Sequence, residues 1–118
     1  ASYLRNLVTG DKVLIEDFIA NANKVHAIAG IGDPSRFFNT LTEHSFILEK
    51  MQGFNDHQAY SAEMFAGFNQ SMPLLMTEKD AVKCKGFAEK NWWYMPVVAV
   101  FPSTSIDSML ADILRLVK

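Results

Sequence analysis

The sequence predicts an α/β fold: a Rossmann-like sandwich with a mainly parallel sheet, helices on its faces, and an N-terminal β-hairpin. Three observations predict it. Short apolar runs of strand length alternate with helix-start signals along most of the chain. Four such β→α steps fit parallel strands buried on both faces, since parallel strands need crossover connections that place helices over the sheet. A separate hairpin pattern, two short strands around a Gly-containing turn, precedes them.

The elements follow in order. Residues 4–8 and 12–15 read as the hairpin strands around Thr9-Gly10-Asp11, with Gly10 supplying the positive φ that such a turn often needs. Two strands alone are marginal in water, so this hairpin must lean on something else. Val25-His26-Ala27-Ile28-Ala29 is a strand and Gly30-Ile31-Gly32 a turn. Asp33 then stands at a helix N-cap with Pro34 at the first helical position. Phe37, Phe38 and Leu41 share one face of that helix. Residues 45–51 form the next strand, followed by a loop, Phe54-Asn55-Asp56-His57. Ser61 reads as the cap of a helix carrying Met64, Phe65 and Phe68. Pro73-Leu74-Leu75-Met76 is a buried strand, and Thr77-Glu78-Lys79-Asp80 opens a helix running to about Phe87. Residues 93–101 are β-rich, with Pro96 limiting one side of the ladder. Ile106, Met109, Leu110, Ile113, Leu114 and Val117 mark a final amphipathic helix.

Composition narrows the function. At 118 residues the chain has room for one domain with a real core. Its net charge of -2 argues against a nucleic-acid binder, which needs a basic excess or a basic face. The single cysteine, Cys84, excludes an internal disulfide and a Cys-based zinc cage, and a free thiol suits a reducing compartment. No apolar run reaches the roughly 18–20 residues that a membrane span requires.

Four places carry candidate chemistry, and each has a plainer reading beside it. The Gly30-Ile31-Gly32 turn before a helix could present N–H groups to an anion. It lacks the third glycine of a dinucleotide fingerprint, no Gly-Lys dipeptide occurs in the chain, and Asp33 would repel a phosphate; a tight structural turn is the plainer reading. Asp56-His57 could supply acid–base chemistry, yet neighbouring side chains often point apart, and a solvated histidine is the plainer reading. Thr77-Glu78-Lys79-Asp80 matches a capping box, and its acids suit the positive end of a helix. The two uses are compatible. Trp92-Trp93-Tyr94 could stack on a ligand or partner, or be buried against the sheet. His26 reads as core or edge packing, His44 as a helix-end surface residue, and Cys84 as a small core residue. The three histidines lack metal-ligand spacing.

The same segments resemble those of the tetraacyldisaccharide 4'-kinase family. The matching stretches are residues 25–38, the Phe54-Asn55-Asp56-His57 loop, residues 73–84, and Trp92-Trp93-Tyr94-Met95-Pro96-Val97, in family order and at family-like spacing. The run from Met76 to Cys84 is the most specific. Asn55 departs from the family pattern, which usually has proline there; the change loosens the loop and leaves the Asp-His pair in place.

The resemblance implies a lipid kinase of Gram-negative bacteria. It transfers the γ-phosphoryl group of ATP, with Mg²⁺, to the 4'-hydroxyl of tetraacyldisaccharide 1-phosphate, giving lipid IVA for lipopolysaccharide. It implies work at the cytoplasmic face of the inner membrane, with membrane association through the rest of the protein. An N-terminal P-loop domain is expected to hold ATP, Mg²⁺ and the lipid. Residues 1–20 then correspond to a linker hairpin with its lead-in, and residues 21–118 to the C-terminal α/β domain. Without a P-loop, such a chain alone is expected to be inactive. The resemblance also brings His57 close to a catalytic aspartate of the other domain, with Asp56 as its support, and gives Thr77, Glu78 and Lys79 nucleotide or interdomain contacts. Two readings of other classes stand beside it: a stand-alone nucleotide-binding module, and a non-catalytic interaction domain.

Overall fold

A computed structural model describes residues 2–30, 32–55, 58–68 and 71–96. Six strands form one mixed sheet: β1 (Tyr3–Asn6), β2 (Lys12–Leu14), β3 (Lys24–Ala29), β4 (Ile47–Gly53), β5 (Leu74–Thr77) and β6 (Trp92–Met95). Three helices accompany them, α1 (Ile15–Asn21), α2 (Pro34–Glu43) and α3 (Glu78–Cys84), with a 3₁₀ turn at Ala62–Phe65. The strand order is β2-β1-β6-β5-β3-β4. The four strands from β6 to β4 run parallel, and β1 is antiparallel to both β2 and β6. The hairpin thus finds its support in β6, where Arg5 faces Tyr94 and Asn6 faces Trp93.

The two-residue period of the strands sorts the apolar side chains into two cores. Val25, Ala27 and Ala29 of β3 and Leu75 of β5 point to one face, where Ile15 and Phe18 of α1 and Phe37 and Leu41 of α2 cover them. Ile28 of β3, Leu74 and Met76 of β5, and Trp92 of β6 point to the other, under Ala81 and Cys84 of α3 and the ring of Phe65. Helices on both faces are what near-continuous apolar strands require.

Several boundaries differ from the sequence reading, each for a local reason. β1 stops at Asn6 rather than at residue 8, because the Asn6 side chain takes over the turn. Its carbonyl oxygen accepts the Val8 and Thr9 N–H groups at 2.8 and 2.9 Å, and its amide donates to the Lys90 carbonyl at 2.7 Å. Gly10 completes the turn with φ +79°. Ile15 ends no strand; it opens α1, whose buried Ile15 and Phe18 with half-buried Ile19 and Ala22 form a helical stripe that the strand reading passed over. The helix expected after Ser61 is only a 3₁₀ turn, and Ser61 makes no side-chain cap. α3 ends at Cys84 rather than near Phe87. Asp33 does precede α2, but its carboxylate accepts the Ser35 hydroxyl at 2.6 Å instead of capping the helix. The β-rich run is a strand from Trp92 to Met95; its remainder and the amphipathic helix at 106–117 lie outside the described residues.

The end of α2 sets the entry into β4. Ser45 has φ 77°, the left-handed region that glycine usually fills after a helix. The Ser45 N–H donates to Thr42 O at 2.9 Å and the Phe46 N–H to Leu41 O at 3.1 Å, the paired bonds of a Schellman motif. Phe46 and Leu41 are both buried in the same core, which is the apolar contact this motif favours. Ser45 itself is exposed and pays the left-handed cost that a side chain adds. Ser45→Gly is therefore expected to stabilise the chain by about 0.5–1 kcal/mol, offset in part by the extra freedom glycine has when unfolded. Calorimetry should show Tm rising by a few degrees; a fall would contradict the assignment of this position.

Candidate functional site

The strand order places a reversal between β3 and β5. From β3 the chain moves outward to β4 on one side; from β5 it moves to β6 on the other. Loops at the carboxyl ends of such neighbours diverge and leave a crevice, the usual ligand position in open α/β sheets. Three segments converge here: Gly30 after β3, residues 54–60 after β4, and Thr77 to Asp80 after β5.

Asp80 stands at their centre. It is 1% exposed, yet its carboxylate is fully engaged. Oδ1 accepts the Gly30 N–H at 3.1 Å and the Tyr60 hydroxyl at 2.7 Å, while Oδ2 accepts the Thr77 hydroxyl at 2.6 Å. Thr77 Oγ1 in turn accepts the Asp80 N–H at 3.2 Å, so the expected helix cap exists. In a capping box the acid reaches back to the backbone of the cap residue. Here it accepts a hydrogen bond from the Thr77 hydroxyl and turns its other oxygen toward β3. Burying a carboxylate is costly unless donors replace its water, and three donors do so here. Gly30 has no side chain for the same reason: a Cβ there would overlap the Tyr60 hydroxyl and come 3.1 Å from Asp80 Oδ1.

A second tie lies beside the first. Lys83 of α3 donates from Nζ to Gln58 O at 3.1 Å and sits 4.8 Å from the centroid of the Tyr60 ring. Gln58 and Asn55 are joined by two hydrogen bonds, Gln58 N–H to Asn55 O at 3.1 Å and Asn55 N–H to the Gln58 side-chain oxygen at 3.0 Å. Phe54 N–H donates to Ala29 O at 2.9 Å, and the Phe54 ring packs on Tyr60 at 5.0 Å and on Phe65 at 5.7 Å. An open cleft of about 320 Å³ beside this segment is lined by Gln52, Gly53, Phe54, Asn55, Gln58 and Met64.

The sequence-predicted residues fare differently. Thr77 joins the crevice through Asp80. Glu78 is half-buried in the first turn of α3 and lines a separate cleft of about 230 Å³ with Arg5, Asn6 and Tyr94. Lys79 is exposed. Asp56 and His57 lie outside the described residues, between the paired Asn55 and Gln58. Asp80, Tyr60 and Lys83 were not among the candidates; Thr-x-x-Asp spacing pointed to Asp80 as a cap, while nothing local marked the other two.

The Gly30 N–H, which an anion would need, is already committed to Asp80. Asp33 adds a negative charge close by. Among the described residues no three His, Cys, Asp or Glu side chains gather as a metal-binding group. These described residues therefore do not fit a Mg²⁺–triphosphate cradle. The aromatic cluster is built into the fold: Trp92 is buried against Phe65 at 4.8 Å, and Trp93 packs edge-on to Phe18 at 5.1 Å. Trp93 and Tyr94 are half-buried, and the burial of Trp92 counts against an interaction-domain reading built on this patch. His26 is buried against Phe68 at 5.3 Å, where burial and, secondarily, Lys50 push its pKa down; His44 caps α2 by its backbone.

Fold and site together define a doubly wound α/β domain whose strand-end crevice is closed internally by a buried carboxylate, leaving the loops around it as the outward-facing rim. The chain belongs to the tetraacyldisaccharide-1-P 4'-kinase (LpxK) family, whose model matches residues 5–115. Among similar proteins are tetraacyldisaccharide 4'-kinases from Colwellia psychrerythraea, 52% identical over 101 residues, and Pasteurella multocida, 52% identical over 106. These alignments cover 86% and 90% of this chain but 29% and 31% of the relatives, so the chain spans about a third of their length. The fold is also that of part of a crystal structure of LpxK from Aquifex aeolicus in complex with ATP, with a TM-score of 0.58 and 23% identity. That likeness covers 78% of this chain and 27% of the other. The resemblance read from the sequence is thus to the right family, and the α/β fold is the one expected.

Two outcomes follow from this geometry. Asp80→Ala removes the acceptor of three donors and is expected to cost about 3 kcal/mol or more, read by urea denaturation. A cost under about 1 kcal/mol would mean that water replaces the carboxylate readily. Cys84, fully buried at the end of α3, has its thiol pushed up from 9.0 to about 12, first by burial and then by Asp80, with Lys83 opposing. The raised folded-state value means that its contribution to stability is complete below pH 9.0 and lost as the pH rises towards about 12. Native Cys84 should therefore resist iodoacetamide at pH 8 and react once the chain is unfolded; rapid native alkylation would refute its burial as a thiol.

Proposed function

We propose that this chain is the C-terminal part of a longer kinase that moves the γ-phosphoryl group of ATP to the 4'-hydroxyl of tetraacyldisaccharide 1-phosphate, yielding lipid IVA. Family membership over residues 5–115 is the observation that carries the proposal. Because the chain spans about a third of its relatives, the remaining two thirds are where the P-loop, Mg²⁺ and lipid site belong in this reading. Membrane association at the cytoplasmic face of the inner membrane also falls to that part.

The contribution of this chain is a closing surface. Phosphoryl transfer depends on positioning and charge neutralisation, and closure over the nucleotide excludes water from the reacting groups. In this reading His57 faces a carboxylate of the P-loop domain, orients it and tunes its pKa, with Asp56 supporting the imidazole. Thr77, Glu78 and Lys79 take nucleotide-side or interdomain contacts. The three hydrogen bonds that Gly30, Tyr60 and Thr77 give Asp80 support this assignment, because a surface that must meet another domain in one geometry gains from a tied base.

The test uses the full-length enzyme. His57→Ala is expected to lower kcat tenfold or more, toward the ~10²–10⁴ range of acid–base partners. Unchanged turnover would discard the role of His57. In the same assay the 118-residue chain alone should transfer no phosphate to the lipid; turnover by the pure chain would overturn the division of labour.

A further inference from the structure

The link between α3 and the connection after β4 has a consequence for catalysis beyond the stability of the fold. Phe54–Tyr60 pairing, the Asn55–Gln58 bonds and the Phe54–Ala29 bond order the two ends of that connection. None of these reaches α3. Two hydrogen bonds do so: the Tyr60 hydroxyl to Asp80, and Lys83 Nζ to Gln58 O. They differ in kind. The first ends on the buried Asp80 carboxylate, while Lys83 is half-buried at the rim and holds one carbonyl with a flexible side chain. Its ammonium also lies over the ring of Tyr60, so a single cation fastens both the backbone at Gln58 and the side chain that reaches Asp80.

We infer that Lys83, backed by the Tyr60–Asp80 pair, is a positioning residue that fixes Gln58 and Tyr60 of the connection after β4 at the strand-end rim. The inference rests on the role proposed for His57, which directly precedes Gln58 in sequence. A tie one peptide away from an acid–base group acts on catalysis without touching substrate, since small displacements of such groups are costly in rate. Lys83 also lies in the last turn of α3, where a basic residue contributes a modest dipole interaction.

Asp80 variants risk unfolding the domain, so the test turns on Lys83 in the full-length enzyme. Lys83→Met keeps the aliphatic stem and removes the donor; Lys83→Arg restores a donor. Lys83→Met is expected to lower kcat about tenfold with KM for ATP little changed, and Lys83→Arg to recover most of it. Hydrogen exchange across residues 54–60 should accelerate several-fold in Lys83→Met alone. The decisive measurement is the double variant with His57→Ala. If Lys83 acts through that loop, the double variant is no slower than His57→Ala by itself. Multiplied losses, full turnover of Lys83→Met, or unchanged exchange would each overturn the inference. Full turnover of His57→Ala would instead sink the underlying role of His57 and the catalytic part of this inference with it, while the exchange result would still report whether Lys83 fastens the loop.

Discussion

A carboxylate removed from water must be met by donors, and the arrangement of this domain around Asp80 follows from that requirement. The Gly30 N–H at the end of β3, the Tyr60 hydroxyl from the connection after β4 and the Thr77 hydroxyl at the end of β5 all converge on it. Charge-assisted bonds of this kind are stronger than neutral ones, and the low dielectric of a buried site sharpens the cost of losing any of them. The same point joins three loops that belong to separate β→α steps. The crevice between β3 and β5 is therefore filled from within, and its surroundings are held rather than left to drift.

The two cores explain why this centre stays in place. Each strand sends alternate residues to opposite faces, and α1 and α2 cover one face while α3 and the ring-rich 3₁₀ turn cover the other. On the second face Phe65 touches Phe54, Tyr60, Phe68, Phe87 and Trp92 with centroid separations of 4.8–6.1 Å. This aromatic cluster carries the residues flanking the rim and presses them against the sheet. The rim is thus built on packed side chains although its backbone is loop.

The strand-end chemistry also separates two ways of using an α/β sheet. A phosphate-binding crevice leaves backbone N–H groups free and is lined by glycine close to a helix N-terminus. Here the Gly30 N–H is spent on an internal acid, and the space a side chain would need is occupied by Tyr60. The glycine serves close packing between protein groups.

Sequence alone determined what depends on local pattern. β3 and β5 were legible as short apolar runs bounded by glycine or proline, and Thr77 as a helix cap, because strand period and capping act over a few residues. The family, too, was legible from runs such as Met76 to Cys84. α1 was missed because it follows β2 with no cap or break, and the 3₁₀ turn was read as a helix because Met64, Phe65 and Phe68 share helical spacing. Tertiary structure decided the rest. It paired the hairpin with β6, and it turned a capping acid into the meeting point of groups 50 and 20 residues away in sequence. It set Lys83 on a carbonyl 25 residues distant. Those contacts arise only when crossovers fold the strand ends together, and no local periodicity encodes which distant donors a buried charge will find.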